Sequence, residues 1–320
     1  MLNNAGKKFL SLLIALDLSW SSVCPAHAAE PVSLPQPGTM VNLSVLSHPP
    51  VLTGVKIYPD DPFRFDFILD QGDPARSAPA GYDIRTEANA LIRYFLASLT
   101  VPEKDLWVNL SPYEKDRIIP EEFGLTEMGR DLLAQDYILK QLTASVMYPE
   151  SESGKRFWSE VYRRAYEAYG TTDIPVDTFN KVWIVPDKAA VYERYNAAGT
   201  SEAGPGSDGE GAATGRSAAA YVVEARLKVM LESDYLAQER SSGVKSGPEQ
   251  EDAARELAKD VIREVIIPVL ENEVNSGDNF ARLRQVYHSL ILAAWYKRKI
   301  KDSLFSAVYV DQKKVTGVRI

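Results

Sequence analysis

Cysteine is almost missing from this chain, with Cys24 alone in 320 residues. A single thiol excludes an internal disulfide framework and a Cys-built zinc site. Histidine is scarce too, three residues in all, which leaves little material for imidazole chemistry. Basic charge is in the minority: 36 Lys and Arg against 44 Asp and Glu, a net charge of −8. A protein that grips nucleic-acid backbone displaces counterions with a basic surface, so no nucleic-acid partner is expected. The remainder matches an ordinary globular protein, 45% hydrophobic and 25% charged.

The first 28 residues read as a secretory signal. Lys7 and Lys8 precede an apolar run from Phe9 to Leu18, and Pro25 is followed by Ala26-His27-Ala28, which fits cleavage after Ala28. The run is shorter than the ~20 residues of a membrane-spanning helix. Asp17 near its end would cost about 2.5 kcal/mol or more at a bilayer centre. No transmembrane span is therefore expected after cleavage, and the protein is expected to be exported, periplasmic or extracellular. Cleavage removes Cys24 and His27 and leaves 43 acidic and 34 basic residues. A cysteine-free chain suits an oxidising compartment.

Residues 29–50 form a Pro-rich leader, extended and outside the core. Residues 51–236 are expected to hold an α+β domain. Val51–Tyr58 and Phe63–Phe67 read as strands joined by turn-forming Pro59-Asp60-Asp61-Pro62, with the Phe rings on one face. Apolar spacing predicts helices over Glu87–Leu99, from Thr126 to before Pro149, and from Ser153 to Gly170. Phe157, Trp158, Val161, Tyr162, Ala165 and Tyr169 form the stripe of the third. Leu106–Leu110 reads as a short strand. Lys181–Val185 and Ala189–Tyr195 read as two strands turning at Pro186-Asp187. A Gly/Ala/Ser/Glu-rich insert, 197–217, is predicted to be disordered, followed by a strand over Ala218–Ala225 and a helix over Leu227–Leu236. A linker spans 237–248. A helical hairpin over 249–304 packs on the domain, kinked at Pro268, and 305–320 is a tail. Burying about ten large side chains at ~1.5–3 kcal/mol each outweighs the roughly 3 kcal/mol cost of that proline. The expected fold class is therefore α+β: a small, mainly antiparallel sheet packed with helices and a C-terminal helical hairpin.

Catalytic patterns are sparse. Gly204-Pro205-Gly206-Ser207-Asp208-Gly209 matches G-x-G-x-x-G, but a dinucleotide site needs it between strand and helix, and here it lies in the insert. Ser242-Gly243-Val244-Lys245 matches S-x-x-K in a linker, where no helix brings the Lys to the Ser. Asp60, Asp61, Asp66, Asp70 and Asp73 lack the regular calcium-loop spacing. No metal or cofactor is expected. His48 lies in the leader, and His288, near Arg284, Ile291 and Trp295, reads as a half-buried packing residue. Lys297-Arg298-Lys299 with Lys301 reads as a helix C-terminus stabilised by its dipole. Sixteen Tyr, with Trp107, Trp158, Trp183 and Trp295, suit either a sugar or peptide groove or the core.

Two stretches, Phe123-Gly124-Leu125-Thr126-Glu127-Met128-Gly129-Arg130-Asp131-Leu132-Leu133-Ala134-Gln135-Asp136-Tyr137 and Phe280-Ala281-Arg282-Leu283-Arg284-Gln285-Val286-Tyr287-His288-Ser289-Leu290-Ile291-Leu292, resemble a family of exported, uncharacterised proteins from uncultured bacteria of the Omnitrophota type. The resemblance covers much of the chain after the leader. It implies export and no particular activity, so no functional residue is carried over. Members continue past a segment similar to Lys313–Val318, which implies that this chain is a fragment. Gly277, Phe280 and Leu283 are similar to a helix start in parvulin-type periplasmic isomerases. The flanking strands and active-site His pattern of that family are missing, so isomerase activity is not implied. The expected function is a non-enzymatic exported binding or structural protein with a protein or peptide partner. The alternatives are a chaperone-like holdase and a carboxylate-based hydrolase, the latter requiring two carboxylates converging in one cleft with a raised pKa on one.

Overall fold

The computed structural model describes residues 34–58, 61–73, 83–101, 124–173, 181–196, 217–241 and 253–315. The signal segment, the Leu106–Leu110 strand, most of the insert and both literal motif matches lie outside the described residues. The two β-rich runs pair as an antiparallel hairpin, β1 (Val51–Tyr58) with β2 (Asp61–Asp70). Phe65 and Phe67 lie 5.8 Å apart and both meet Phe95 edge-on. Phe63 leaves that face and is 85% exposed, because the register jumps from Ile57↔Phe65 to Tyr58↔Asp61 and leaves residues 62–64 without β1 partners.

β3 (Val182–Asn196) and β4 (Ser217–Leu231) complete an antiparallel sheet in the order β2-β1-β4-β3. Four sequence expectations are corrected here. Pro186-Asp187 is not a turn; β3 runs straight through it, and the register skips Asp187 as a bulge. Pro186 stands opposite Leu227, whose N–H and C=O point the other way and bond the Asn275 side chain at 3.0 and 2.8 Å. The missing proline N–H therefore costs no ladder bond. Leu227–Leu231 is strand, not helix, because Val182–Pro186 offers it a partner, and Ser217 belongs to the strand, not the insert. The helix after it, α4, spans Glu232–Ser241, so the expected linker is helical as far as Ser241.

α1 (Ile84–Ser98) is capped by Asp83, α2 (Glu127–Val146) by Thr126 and α3 (Glu152–Tyr169) by Ser151, whose side chains accept the free amides of the first turn. α3 ends at Gly170 in the left-handed region, φ 71°. The C-terminal pair consists of α5 (Ala253–Val261), a π-helical turn (Ile262–Ile266) and α6 (Ile267–Ser276), then a 3₁₀ turn (Asp278–Phe280) and α7 (Ala281–Val315). The disturbance expected at Pro268 takes the form of that π turn, in which the Ile267 N–H reaches back to the Ile262 carbonyl. The wider turn makes room for the proline ring, and the helix continues. α7 runs past the expected end at 304, which places Lys297–Lys301 in mid-helix. Lys297 instead donates to the Ser98 and Val101 carbonyls, at 3.1 and 2.5 Å, at the C-terminal end of α1. The dipole it meets is that of another helix.

One core joins sheet and helices: Leu91 and Phe95 of α1, Leu142 of α2, Phe157 and Val161 of α3, Val229 of β4, Ile266 and Leu270 of the bent helix, and Leu292 of α7. The Pro-rich leader is extended, yet it is tied to this body. Val41 packs against the core and Ser47 is buried. Val41 N–H donates to Ser145 Oγ at 2.9 Å, Ser47 N–H to the Ser276 carbonyl at 2.9 Å, and Tyr137 OH to the Pro35 carbonyl at 2.8 Å. Buried Glu273 accepts from the Ser44 amide at 3.0 Å, from the Ser44 hydroxyl, and from Asn279 Nδ2 at 2.8 Å. Arg284 donates to the carbonyls of Val274, Gly277 and Ser47. Burial pushes that guanidinium down to about 10.

Candidate functional site

α3 has apolar residues in doublets: 157 and 158, 161 and 162, 165 and 166. One member of each doublet faces the core; Phe157, Val161 and Ala165 are fully buried. The next position lies 100° around the helix, and successive members recur every fourth residue, about 6 Å apart along the axis. This second stripe is aromatic. Trp158 is half-buried, and Tyr162, Tyr166 and Tyr169 are 45%, 65% and 45% exposed. Trp158 and Tyr162 lie side by side, centroids 5.7 Å apart and planes inclined by 33°. Trp158 is held from beneath by Phe157, edge-on at 5.1 Å, and by its own Nε1–H, which donates to the Met147 carbonyl at 3.0 Å. Exposed Tyr148 follows Met147 at the end of α2.

The corner between α2 and α3 fixes this arrangement. The Ser151 amide donates to the Tyr148 carbonyl at 2.9 Å, and its hydroxyl is shared between the Tyr148 and Val146 carbonyls, each at 2.9 Å, while accepting the Gly154 amide. Gly154 lies so close that a methyl on it would stand 1.9 Å from the Tyr148 oxygen. The charges flanking the middle of α3 pair with one another. Arg163 bonds Glu160 and Glu167, and Arg164 bonds Glu160 and, across to the π turn, Glu264. The two arginines hold the half-buried Glu160 carboxyl down to about 2.

The tryptophans separate by role. Trp183 is buried against Tyr235, and Trp295 is buried with its Nε1–H on Glu193 at 2.9 Å. Lys299, Tyr195 and Trp295 together hold the Glu193 carboxyl down to about 2. Trp107 lies outside the described residues. Only Trp158 shares a surface with exposed tyrosines among the described residues. The sequence pattern assigns Trp158, Tyr162 and Tyr169 to the packed stripe and omits Tyr166. The missed signal is the doublet spacing, which spreads apolar residues over a wider arc than one packing face covers.

Two carboxylates do converge at the junction of α1, α2 and α7. Arg282 donates to Glu87 at 2.5 Å, as does Gln285 at 2.8 Å, and the buried Tyr94 hydroxyl donates to Asp131. Burial raises the Asp131 carboxyl, with the Tyr94 bond and the Arg282 charge opposing. Glu87 Oε1 and Asp131 Oδ2 are engaged by donors from neighbouring helices, as in an interhelical network. His288 is half-buried, its Nδ1 3.2 Å from the Leu52 carbonyl. His48 offers its backbone carbonyl to the Asp73 amide. Of the acidic residues weighed for calcium, Asp66 takes the Tyr58 hydroxyl and Asp70 takes the Gly72 amide. Among the described residues no group of three or more His, Cys, Asp or Glu is placed to hold a metal ion, and no helix is long and apolar enough to cross a membrane.

A groove of about 500 Å³ lies between β4 and α6, lined by Ala225, Arg226, Pro268, Glu271, Asn272 and Asn275. Its polar groups close the β4 edge. Asn275 bonds both Leu227 backbone groups, and Glu271 accepts the Val229 amide at 3.3 Å and Arg226 at 2.8 Å. Two helix side chains thus take the place of a neighbouring strand where β1 has left β4. No protein-family model, curated protein or solved structure matches the chain.

Proposed function

We propose that the protein is an exported, non-enzymatic binding protein, acting in the periplasm or outside the cell, that engages its partner through the aromatic stripe of α3. The observation that carries this reading is the exposure of Tyr162 and Tyr166 beside a Trp158 held rigidly from below. Rings fixed on a helix offer large contact area at little entropic cost, and Tyr and Trp suit a partner that is partly apolar and partly wet. With Tyr148 and Tyr169, about half of each exposed ring gives an accessible aromatic surface of about 400 Å². The kinship with exported bacterial proteins belongs to the same proposal. The test compares the full-length chain with its Tyr162→Ala/Tyr166→Ala double variant, using two labelled probes: a permanently unfolded polypeptide (reduced, carboxymethylated α-lactalbumin) and soluble polysaccharide. The wild type is expected to bind at least one probe, with the double variant about tenfold weaker. Equal behaviour of the two chains towards both probes overturns the reading.

A further inference from the structure

We propose that the partner of the α3 stripe is an extended, neutral glycan chain; this rests on the binding role given to that stripe above. Five observations select the occupant. The stripe from Trp158 to Tyr169 covers about 16 Å of the helix axis within an arc of about 80°, so it suits a ligand that is itself extended. Its exposed apolar groups are rings, without Leu, Ile, Val or Met among them. Ring faces stack on the C–H faces of pyranoses, and phenol rims meet sugar hydroxyls. Among the described residues, no side chain bonds the hydroxyls of Tyr162, Tyr166 or Tyr169, so these remain available to a hydroxyl-rich ligand. The neighbouring Arg163 and Arg164 are already matched by Glu160, Glu167 and Glu264. A ligand bearing many charges would therefore find no complement along the middle and C-terminal part of the stripe; Lys155 and the neighbouring exposed Arg156 stand at its N-terminal end. Finally, about 400 Å² is half of the roughly 800 Å² that each partner gives to a stable protein interface, which disfavours a second copy of the chain.

The experiment is affinity electrophoresis of the full-length protein through native gels containing hydroxyethyl cellulose, xylan, laminarin or alginate. Retardation is expected in at least one of the three neutral glycans. It should weaken about tenfold in Tyr162→Ala/Tyr166→Ala and persist in Tyr162→Phe/Tyr166→Phe, which keeps the stacking faces. Both positions are exposed, and an unchanged melting temperature verifies that the variants fold. Absence of retardation in every neutral gel overturns the inference, as does equal retardation of wild type and alanine variant. Retardation in alginate alone, abolished by Lys155→Ala, also overturns it by assigning an acidic ligand. Binding of unfolded α-lactalbumin by wild type but not by the alanine variant, without retardation in neutral gels, removes the glycan and leaves the binding role of the stripe standing. A doubling of mass in solution that the alanine variant loses assigns the stripe to a second copy and likewise overturns the glycan.

Discussion

Replacing Gly154 with alanine sets two effects of opposite sign against each other at the corner that positions Trp158. Helix propensity alone favours alanine by about 1 kcal/mol. Gly154 is not in the positive-φ region, so backbone freedom gives no reason for glycine. The added methyl, however, would stand 1.9 Å from the Tyr148 oxygen, 2.6 Å from its carbonyl carbon and 2.8 Å from Ser151 Oγ. Ordinary contact requires the two backbones to part by more than an ångström. The Tyr148 carbonyl is also the acceptor for the Ser151 amide and hydroxyl. Separation therefore strains the N-cap of α3, worth about 1 kcal/mol, on top of about 1–3 kcal/mol for overpacking. The clash wins, for a net loss of about 2 kcal/mol. Thermal unfolding followed by far-UV circular dichroism should show a Tm lowered by roughly 4–8 °C. Gly170→Ala is the comparison: its φ is 71° but nothing lies within contact of the added methyl, so it should lose only about 1–2 kcal/mol. A Gly154→Ala protein as stable as wild type would refute the steric argument.

Three further outcomes follow from the same contacts. Asn275→Ala removes bonds to both Leu227 backbone groups and to the Glu271 carbonyl; urea titration should show a loss of about 1–3 kcal/mol, with faster hydrogen exchange at the Leu227 amide. Glu273→Ala leaves the Ser44 amide and hydroxyl and the Asn279 amide without their acceptor; a loss of about 3 kcal/mol is expected, and limited proteolysis should cut first within residues 34–50. Burial holds the His288 pKa below its ordinary value, against the opposing Leu52 bond and Asp70 charge and with Arg284 adding to the shift. The unfolded chain therefore takes up a proton first as pH falls: the stability is full above about pH 6.5 and declines below it, towards the folded-state pKa. His288→Gln should flatten the stability profile below about pH 6.5, and an unchanged slope would contradict this.

Local chemistry alone determined much of the fold. Thr126 caps α2 because a hydroxyl before an apolar-periodic run accepts the free first-turn amides. Gly170 ends α3 because a left-handed residue is cheapest there for glycine. The β1–β2 pairing followed from two β-forming runs joined by turn residues, and the C-terminal hairpin from helical periodicity. Tertiary structure decided what a local pattern leaves degenerate. Pro186-Asp187 looks like a turn until Leu227 stands opposite and turns its hydrogen-bonding groups to Asn275. Leu227–Leu231 suits helix or strand, and only the partner segment Val182–Pro186 chooses. Lys297 looks like a helix end until α1 ends beside it. The α3 stripe is the same case at the surface. Spacing placed its rings on one side of a helix, but α2, α5 and the π turn decided which apolar stripe is covered and which remains open. Burial depends on contacts far apart in sequence, and periodicity, a local property, cannot rank two adjacent stripes of one helix.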